Sequence, residues 1–174
     1  WDDLSAQTTQ TATGLLAGSY TCVITDALGC TFTAPTVTVS QPLALTATSS
    51  FTDVSCNGGS DGTATVTPTG GTLPYTYLWD DPSFQTTQTA TGLIAGSYTC
   101  VITDALGCTF TAPTVTVSQP LALTATSSFT DVSCNGGSDG TATVTPTGGT
   151  LPYTYLWDDL SAQTTQTATG LLAG

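Results

Sequence analysis

Residues 70–81 read GGTLPYTYLWDD, and residues 148–159 repeat the same letters. The tail of the phrase, WDD, also opens the chain at Trp1. Within it, Tyr75, Tyr77 and Trp79 alternate with Thr76 and Leu78. Alternation with period 2 marks an extended strand that buries one face. Gly70 and Gly71 permit a tight approach just before it, and Pro74 fixes the direction of entry. The phrase therefore predicts a loop followed by a core strand whose aromatic face fills a β-structure.

The repetition extends outward over the whole chain with a period of 78 residues: Trp1, Trp79 and Trp157; Cys22 and Cys100; Cys30 and Cys108; Cys56 and Cys134. Three kinds of difference interrupt it. Leu4 and Leu160 answer to Pro82, Ala6 and Ala162 to Phe84, and Leu16 and Leu172 to Ile94. Phased at Leu43, after Gln41-Pro42, the chain divides into residues 1–42, the C-terminal part of one repeat; 43–120, a complete repeat; and 121–174, the N-terminal part of the next. The expectation is of a window on a longer array.

No stretch of the unit carries a 3.6-residue period, and turn signals separate its alternating runs. The expected strands are LALTATS from Leu43, with Leu43, Leu45 and Ala47 on one face; GTATVT, with Ala64 and Val66 inward; YTYLW; a polar edge strand or pair within QTTQTATGL; GSYTCVIT, which sets Tyr98, Cys100 and Ile102 together; and CTFTAPTVTVS, where Pro113 marks an edge or bulge. DALG joins the last two as a hairpin turn. About seven short strands without a helix predict an all-β fold of tandem immunoglobulin-like β-sandwich repeats, head to tail. Tyr75, Tyr77, Trp79, Tyr98 and Ile102 are the expected core.

Composition narrows function. The 12 acidic residues are all Asp, and Lys, Arg and His are absent, for a net charge of −12. Such a surface repels phosphate backbones, which argues against nucleic acid as a partner, and no apolar run is long enough to span a bilayer. With 39% hydrophobic and 7% charged residues the chain can build a core. Thr, the commonest residue, is β-branched and keeps a strand face polar without charge.

Three marks, VSCNGGSDGTATV, GGTLPYTYLW and TGLIAGSYTCVITDALGC, follow in order along the unit. In them the unit resembles the SprB-type repeat of Bacteroidetes cell-surface adhesins, over essentially its whole length. The resemblance implies a very long cell-surface protein exported by the type IX system and used for attachment or gliding, without catalysis. Cys100 departs from that pattern, which usually has an aliphatic residue there.

The residues themselves also argue against an enzyme. A Ser or Cys nucleophile needs a base, and neither His nor Lys is present. The carboxylates offer a cation site instead. In an immunoglobulin-like strand order, Asp61, Asp80 and Asp81 lie near one end of a unit and Asp104 at the other. A head-to-tail junction would then gather them for calcium. The opposing reading is of turn-forming, solvated Asp residues, and no cofactor is required. The thiols Cys22, Cys30, Cys56, Cys100, Cys108 and Cys134 allow two disulfide schemes in an oxidising compartment. Cys56–Cys100 would close a loop within the unit, worth roughly 3–4 kcal/mol. Alternatively Cys100 is a buried thiol, and equivalents of Cys56 and Cys108 link neighbouring units. Expected partners are neighbouring repeats of the chain, other copies in a filament, and surface glycans if Tyr75, Tyr77 and Trp79, beside Asp80 and Asp81, stack on sugar rings instead of filling the core; the expected location is extracellular, at the cell surface.

Overall fold

The computed structural model describes residues 1–173. Among them all regular structure is β-strand. Ahead of Gln41 lie β1 (Gly18–Tyr20), β2 (Val23–Thr25), β3 (Thr31–Thr33) and β4 (Val37–Val39). The central unit holds β5 (Thr46–Thr52), β6 (Gly62–Thr69), β7 (Thr76–Trp79), β8 (Thr89–Leu93), β9 (Gly96–Tyr98), β10 (Cys100–Thr103), β11 (Thr109–Thr111) and β12 (Val115–Val117). After it come β13 (Thr124–Thr130), β14 (Gly140–Thr147) and β15 (Thr167–Leu171).

The strands of the central unit form one sheet in the order β5-β6-β8, a second in the order β11-β10-β7, and the pair β12-β9, all antiparallel. Period-2 patterning decides which side chains turn inward. In β6, Ala64 and Val66 are fully buried, while Thr63 and Thr65 occupy the other face. There the threonines pair across strands: Thr52 with Thr63 at 2.8 Å, Thr65 with Thr89 at 2.9 Å and Thr46 with Thr69 at 2.8 Å. Cross-strand hydroxyl pairs of this kind stabilise a sheet by roughly 0.2–1 kcal/mol each, which gives the abundant Thr a structural role.

Both sheets and the β9–β12 pair contribute to a single hydrophobic cluster that runs from Leu45 to Val117. Trp79, Ile102, Val66, Val117 and Cys100 are its largest fully buried members. The segment from β9 to β12 is one long hairpin with a break. Val101 faces Thr111, whereas Tyr98 faces Val115, so the returning strand carries one extra residue beside Pro113. Proline cannot donate to a ladder, and the bulge expected there is present.

Two local expectations need correction. Leu43 was assigned to the inward face of the first strand, but β5 begins at Thr46 and Leu43 is 83% exposed. The Leu43 carbonyl instead accepts the Gly71 N–H at 2.7 Å. Next to it, Gly70 has φ +73°, and a Cβ there would stand 2.1 Å from the Ala44 oxygen. Backbone meets backbone at this point, leaving no room for a ladder of side chains. The strand expected in QTTQTATGL is also shorter, starting only at Thr89, because Gln85 is drawn into a turn by Asp81.

The flanking segments repeat parts of this design. β13-β14-β15 reproduces the first sheet, with Ser128 facing Thr143 as Ser50 faces Thr65. The pairs β1-β4 and β2-β3 reproduce the long hairpin.

Candidate functional site

The chemistry-bearing side chains lie toward the two ends of the central unit and around the turn that follows β7. At the leading end, Gln41, Pro42 and Leu43 line a shallow pocket with Asp104, Leu106 and Cys108. At the trailing end, the Asn57 amide donates to the Pro120 carbonyl at 3.0 Å, and the Gly58 N–H donates to the Gln119 side chain at 2.8 Å. Asp53 accepts the Ser118 N–H at 2.7 Å there.

Asp104 belongs to the β10–β11 turn and is 6% exposed. One carboxylate oxygen accepts the N–H groups of Leu106 (2.9 Å) and Cys108 (2.8 Å), and the other accepts that of Thr72 (3.0 Å). Burial pushes this carboxyl up, but the N–H groups of Cys108, Thr72 and Leu106 outweigh it and hold it below the ordinary Asp value. Asp104 thereby ties the hairpin turn to the loop that follows Gly71.

Asp81, 2% exposed, organises the turn after β7 in the same manner. It accepts the N–H groups of Ser83 (3.0 Å) and Gln85 (2.8 Å) and the Gln85 amide (3.1 Å). Burial raises it, and the Gln85 and Ser83 donors again bring it below the ordinary value. Gln85 then reaches β8, donating to the Thr91 carbonyl at 2.9 Å and accepting the Thr91 N–H at 3.0 Å. Sequence reading missed this bracket. Its signal was an Asp followed four residues later by Gln, which recurs as Asp3/Gln7 and Asp159/Gln163 with the same bonds.

Asp80 points away from Asp81 and accepts the Thr99 N–H at 2.7 Å. Asp61 accepts the Ser55 N–H at 3.0 Å and the Ser55 hydroxyl, which together lower its pKa. The four carboxylates read as calcium ligands thus accept bonds from their own chain, and two of them are buried rather than solvated. Among the described residues, no three His, Cys, Asp or Glu side chains stand together as metal ligands.

All six thiols are free. Cys100 faces Trp79 across the β7–β10 pair and is fully buried, and burial pushes its thiol up. Cys56 is exposed in the turn beside Asn57, and Cys108 is exposed at the opposite end. Cys22 is half-buried, and Cys30 and Cys134 are exposed.

The aromatic row is turned inward. Trp79 is 1% exposed, and its indole N–H donates to the Thr87 carbonyl at 2.9 Å. Tyr75 and Tyr77 pack against the core cluster, and the Tyr75 hydroxyl is bonded to the Gly70 carbonyl. Burial raises the Tyr77 hydroxyl. Tyr98 is buried and donates to the Ile94 carbonyl at 3.0 Å.

The family model described as the SprB repeat matches residues 48–84 and 126–162. The matches cover β5 to the Asp81 turn and the corresponding stretch one period later. The similarity to the SprB repeat thus holds over those two segments. That family goes with cell-surface proteins and is a structural repeat rather than an enzyme family. No curated protein matches the sequence. Among the described residues, no helix is long and apolar enough to cross a membrane.

Proposed function

From a chain that carries two SprB-repeat matches, we propose a structural and adhesive role: a tandem array of immunoglobulin-like sandwich units forming an extracellular fibre or stalk at the cell surface. The observation that carries this reading is that the unit closes a core of its own and then recurs almost unchanged. Interchangeable units build length and multiply weak contacts, whereas a catalytic site gains nothing from being copied. The strand order supports the sandwich. β5, β6 and β8 correspond to strands A, B and E of an immunoglobulin domain, and β7, β10 and β11 to strands C, F and G. The Tyr98–Ile94 bond corresponds to the tyrosine corner of that fold.

The reading requires no catalysis. The carboxylates and Gln85 accept or donate bonds within their own chain, and the sequence holds neither His nor Lys to serve as a base for a thiol. A chain without Lys or Arg also presents no trypsin-type cleavage site, which suits exposure outside the cell.

The test is negative-stain imaging of a purified array of several units, in calcium and in chelator. Beaded strings with one bead per unit are expected. Collapsed globules would overturn the fibre reading. A contour length or melting temperature that falls on chelation would place calcium at the junctions, and no change would remove calcium from the proposal.

A further inference from the structure

The segment between the central unit and the next is not a free tether. Ser118 is fixed first: its N–H donates to Asp53 at 2.7 Å, and its carbonyl accepts the Val54 N–H at 2.9 Å. The Gln119 side-chain oxygen accepts the Gly58 N–H at 2.8 Å, and the Pro120 carbonyl accepts the Asn57 amide at 3.0 Å. The Leu121 carbonyl then accepts the Gly149 N–H of the following repeat at 2.8 Å. Each residue from Ser118 to Leu121 is thus bonded, the first three to the central unit and the last to the following repeat. Bonds that face both ways set the angle at which one repeat follows another, where an unbonded linker leaves it free.

The bonds to Gln119 and Pro120 come from one dipeptide, and that dipeptide has a chemistry of its own. Asn57 and Gly58 are the central residues of a turn that the Gly59 N–H closes on the Cys56 carbonyl at 3.0 Å. Both are exposed. Gly58 has φ +75°, and a Cβ there would meet nothing within 4 Å. In an Asn-Gly pair the backbone nitrogen of the glycine reaches the side-chain amide of the asparagine with no side chain in its way. The chain's asparagines are Asn57 and Asn135.

We propose that Asn57 is a modification site, converted to aspartate or isoaspartate by deamidation, and that the linker it holds controls the rate. The Gly58 nitrogen, having given up its proton, forms a bond to Asn57 Cγ. The Cγ–Nδ2 bond breaks, and the amide leaves as ammonia, taking up a proton. Water then opens the five-membered succinimide. Opening at the side-chain carbonyl gives aspartate; opening at the main-chain carbonyl gives isoaspartate, in which the backbone runs through the side chain. Nothing is oxidised or reduced, and water is the one co-reactant.

The linker opposes this step at both reacting groups. The Gly58 N–H is engaged by Gln119, so its nitrogen keeps its proton and is aimed at the linker rather than at Asn57 Cγ. The Asn57 amide is held to Pro120. Ring formation therefore waits for the linker to lift off, a local opening of the surface. The product does not restore the grip. A carboxylate accepts and cannot donate, so at position 57 it meets the Pro120 carbonyl as acceptor against acceptor. Isoaspartate also adds a methylene to the backbone, which displaces Gly58 from Gln119. A joint that has opened and reacted stays slack on the side of the central unit, while Leu121 remains bonded to Gly149 in the following repeat.

This inference stands on the bonds of the linker, independently of the cell-surface reading. The test uses the full chain carrying Asn135→Ala, which leaves Asn57 as its one asparagine. The chain is incubated at mildly alkaline pH and followed by intact mass and by enzymatic methylation of isoaspartate. The same chain unfolded in urea gives the unguarded rate, and the folded chain should react several-fold more slowly. Adding Gln119→Ala should speed the folded chain several-fold, whereas Gln119→Glu, which keeps an acceptor for the Gly58 N–H, should leave it near the unaltered rate. Gln119 is exposed, so neither change touches the core. In an Asn57→Asp chain, which carries the product, the Gly58 N–H should exchange faster with solvent by NMR. The proposal is overturned if Asn57 keeps its amide as long in Gln119→Ala as in the unaltered chain. It is overturned equally if Gly58 exchanges no faster in Asn57→Asp.

Discussion

The central unit and its flanking segments have nearly the same sequence and different environments. TYLW is strand β7 at Thr76–Trp79 and irregular at residues 154–157. Asp104 is buried, while Asp26, in the same turn with the same Leu and Cys donors, is exposed. Ile102 is fully buried and Ile24 is 56% exposed. The turns form in both places because their bonds are local. The β7 strand and the core form only where residues 43–95 and 96–117 are both present. Local sequence therefore specifies the turns and hairpins, and the meeting of the two sheets specifies the rest.

The largest effect expected from this contrast is at tryptophan. Trp79→Ala removes a side chain that is 1% exposed and should lower the stability of the central unit by about 3–5 kcal/mol, read from urea unfolding. Trp157→Ala, at a half-buried position, should leave the same transition almost unchanged. Equal losses from both would show that the flanking segments share the central core.

The buried turn carboxylates come next. Asp104→Ala leaves the N–H groups of Thr72, Leu106 and Cys108 without their acceptor and should lower the melting temperature by several degrees. Asp26→Ala should lower it far less, because its turn is already wet. The same residues set an acid limit. Asp81 and Asp104 have folded-state values below the ordinary 3.8. The unfolded chain therefore binds protons first as pH falls. Their contribution is complete above the unfolded value and is lost as pH drops through the folded one. The melting temperature should be flat from pH 7 to about 5 and fall below about 4. Asp104→Asn should flatten part of that fall; if it leaves the acid limb unchanged, Asp104 is not among the groups that set it.

Much of this was legible in the sequence, for physical reasons that can be traced residue by residue. Ala64, Val66, Trp79, Tyr98, Cys100 and Ile102 were readable as inward because a strand has a strict period of two. Pro113 announced its bulge because it has no N–H to give. Leu43 misled, since alternation alone cannot show that the backbone at Gly70 already occupies the space beside Ala44. The setting of two carboxylates was not legible, because nothing in the letters shows that loop N–H groups converge on them. Asp81 and Asp104 read as solvated turn residues but are buried. The Asp81–Gln85 bracket was missed because its two halves act through the backbone of a third segment, at Thr91.

Thiol reactivity separates the environments without unfolding anything. Cys100 is buried, whereas Cys22, in the same local sequence, is half-buried beside strands with no cover. Native-state alkylation should modify Cys22, Cys30, Cys56, Cys108 and Cys134 and spare Cys100 until the central unit unfolds. Rapid labelling of Cys100 would mean that the hairpin from β9 to β12 opens readily in the central unit as well.

The smallest effect concerns one of the positions at which the units differ. Phe84 has φ +49°, and Ala6 and Ala162, its counterparts, have φ +46° and +47°. The left-handed conformation therefore belongs to the turn, imposed by the bonds that Asp81 and its counterparts make, and does not depend on which side chain stands there. A residue with a Cβ is disfavoured in that region by roughly 1–2 kcal/mol, and glycine relieves this while giving back about 0.5–1 kcal/mol in unfolded-state freedom. Phe84→Gly should accordingly raise stability by only a few tenths of a kcal/mol. The phenyl ring, 67% exposed, lies over an apolar pocket lined by Leu78, Trp79 and Val101. If Phe84→Gly destabilises instead, the ring contributes more by covering that pocket than the backbone loses by its strain, and the central unit differs from its neighbours in packing as well as in sequence.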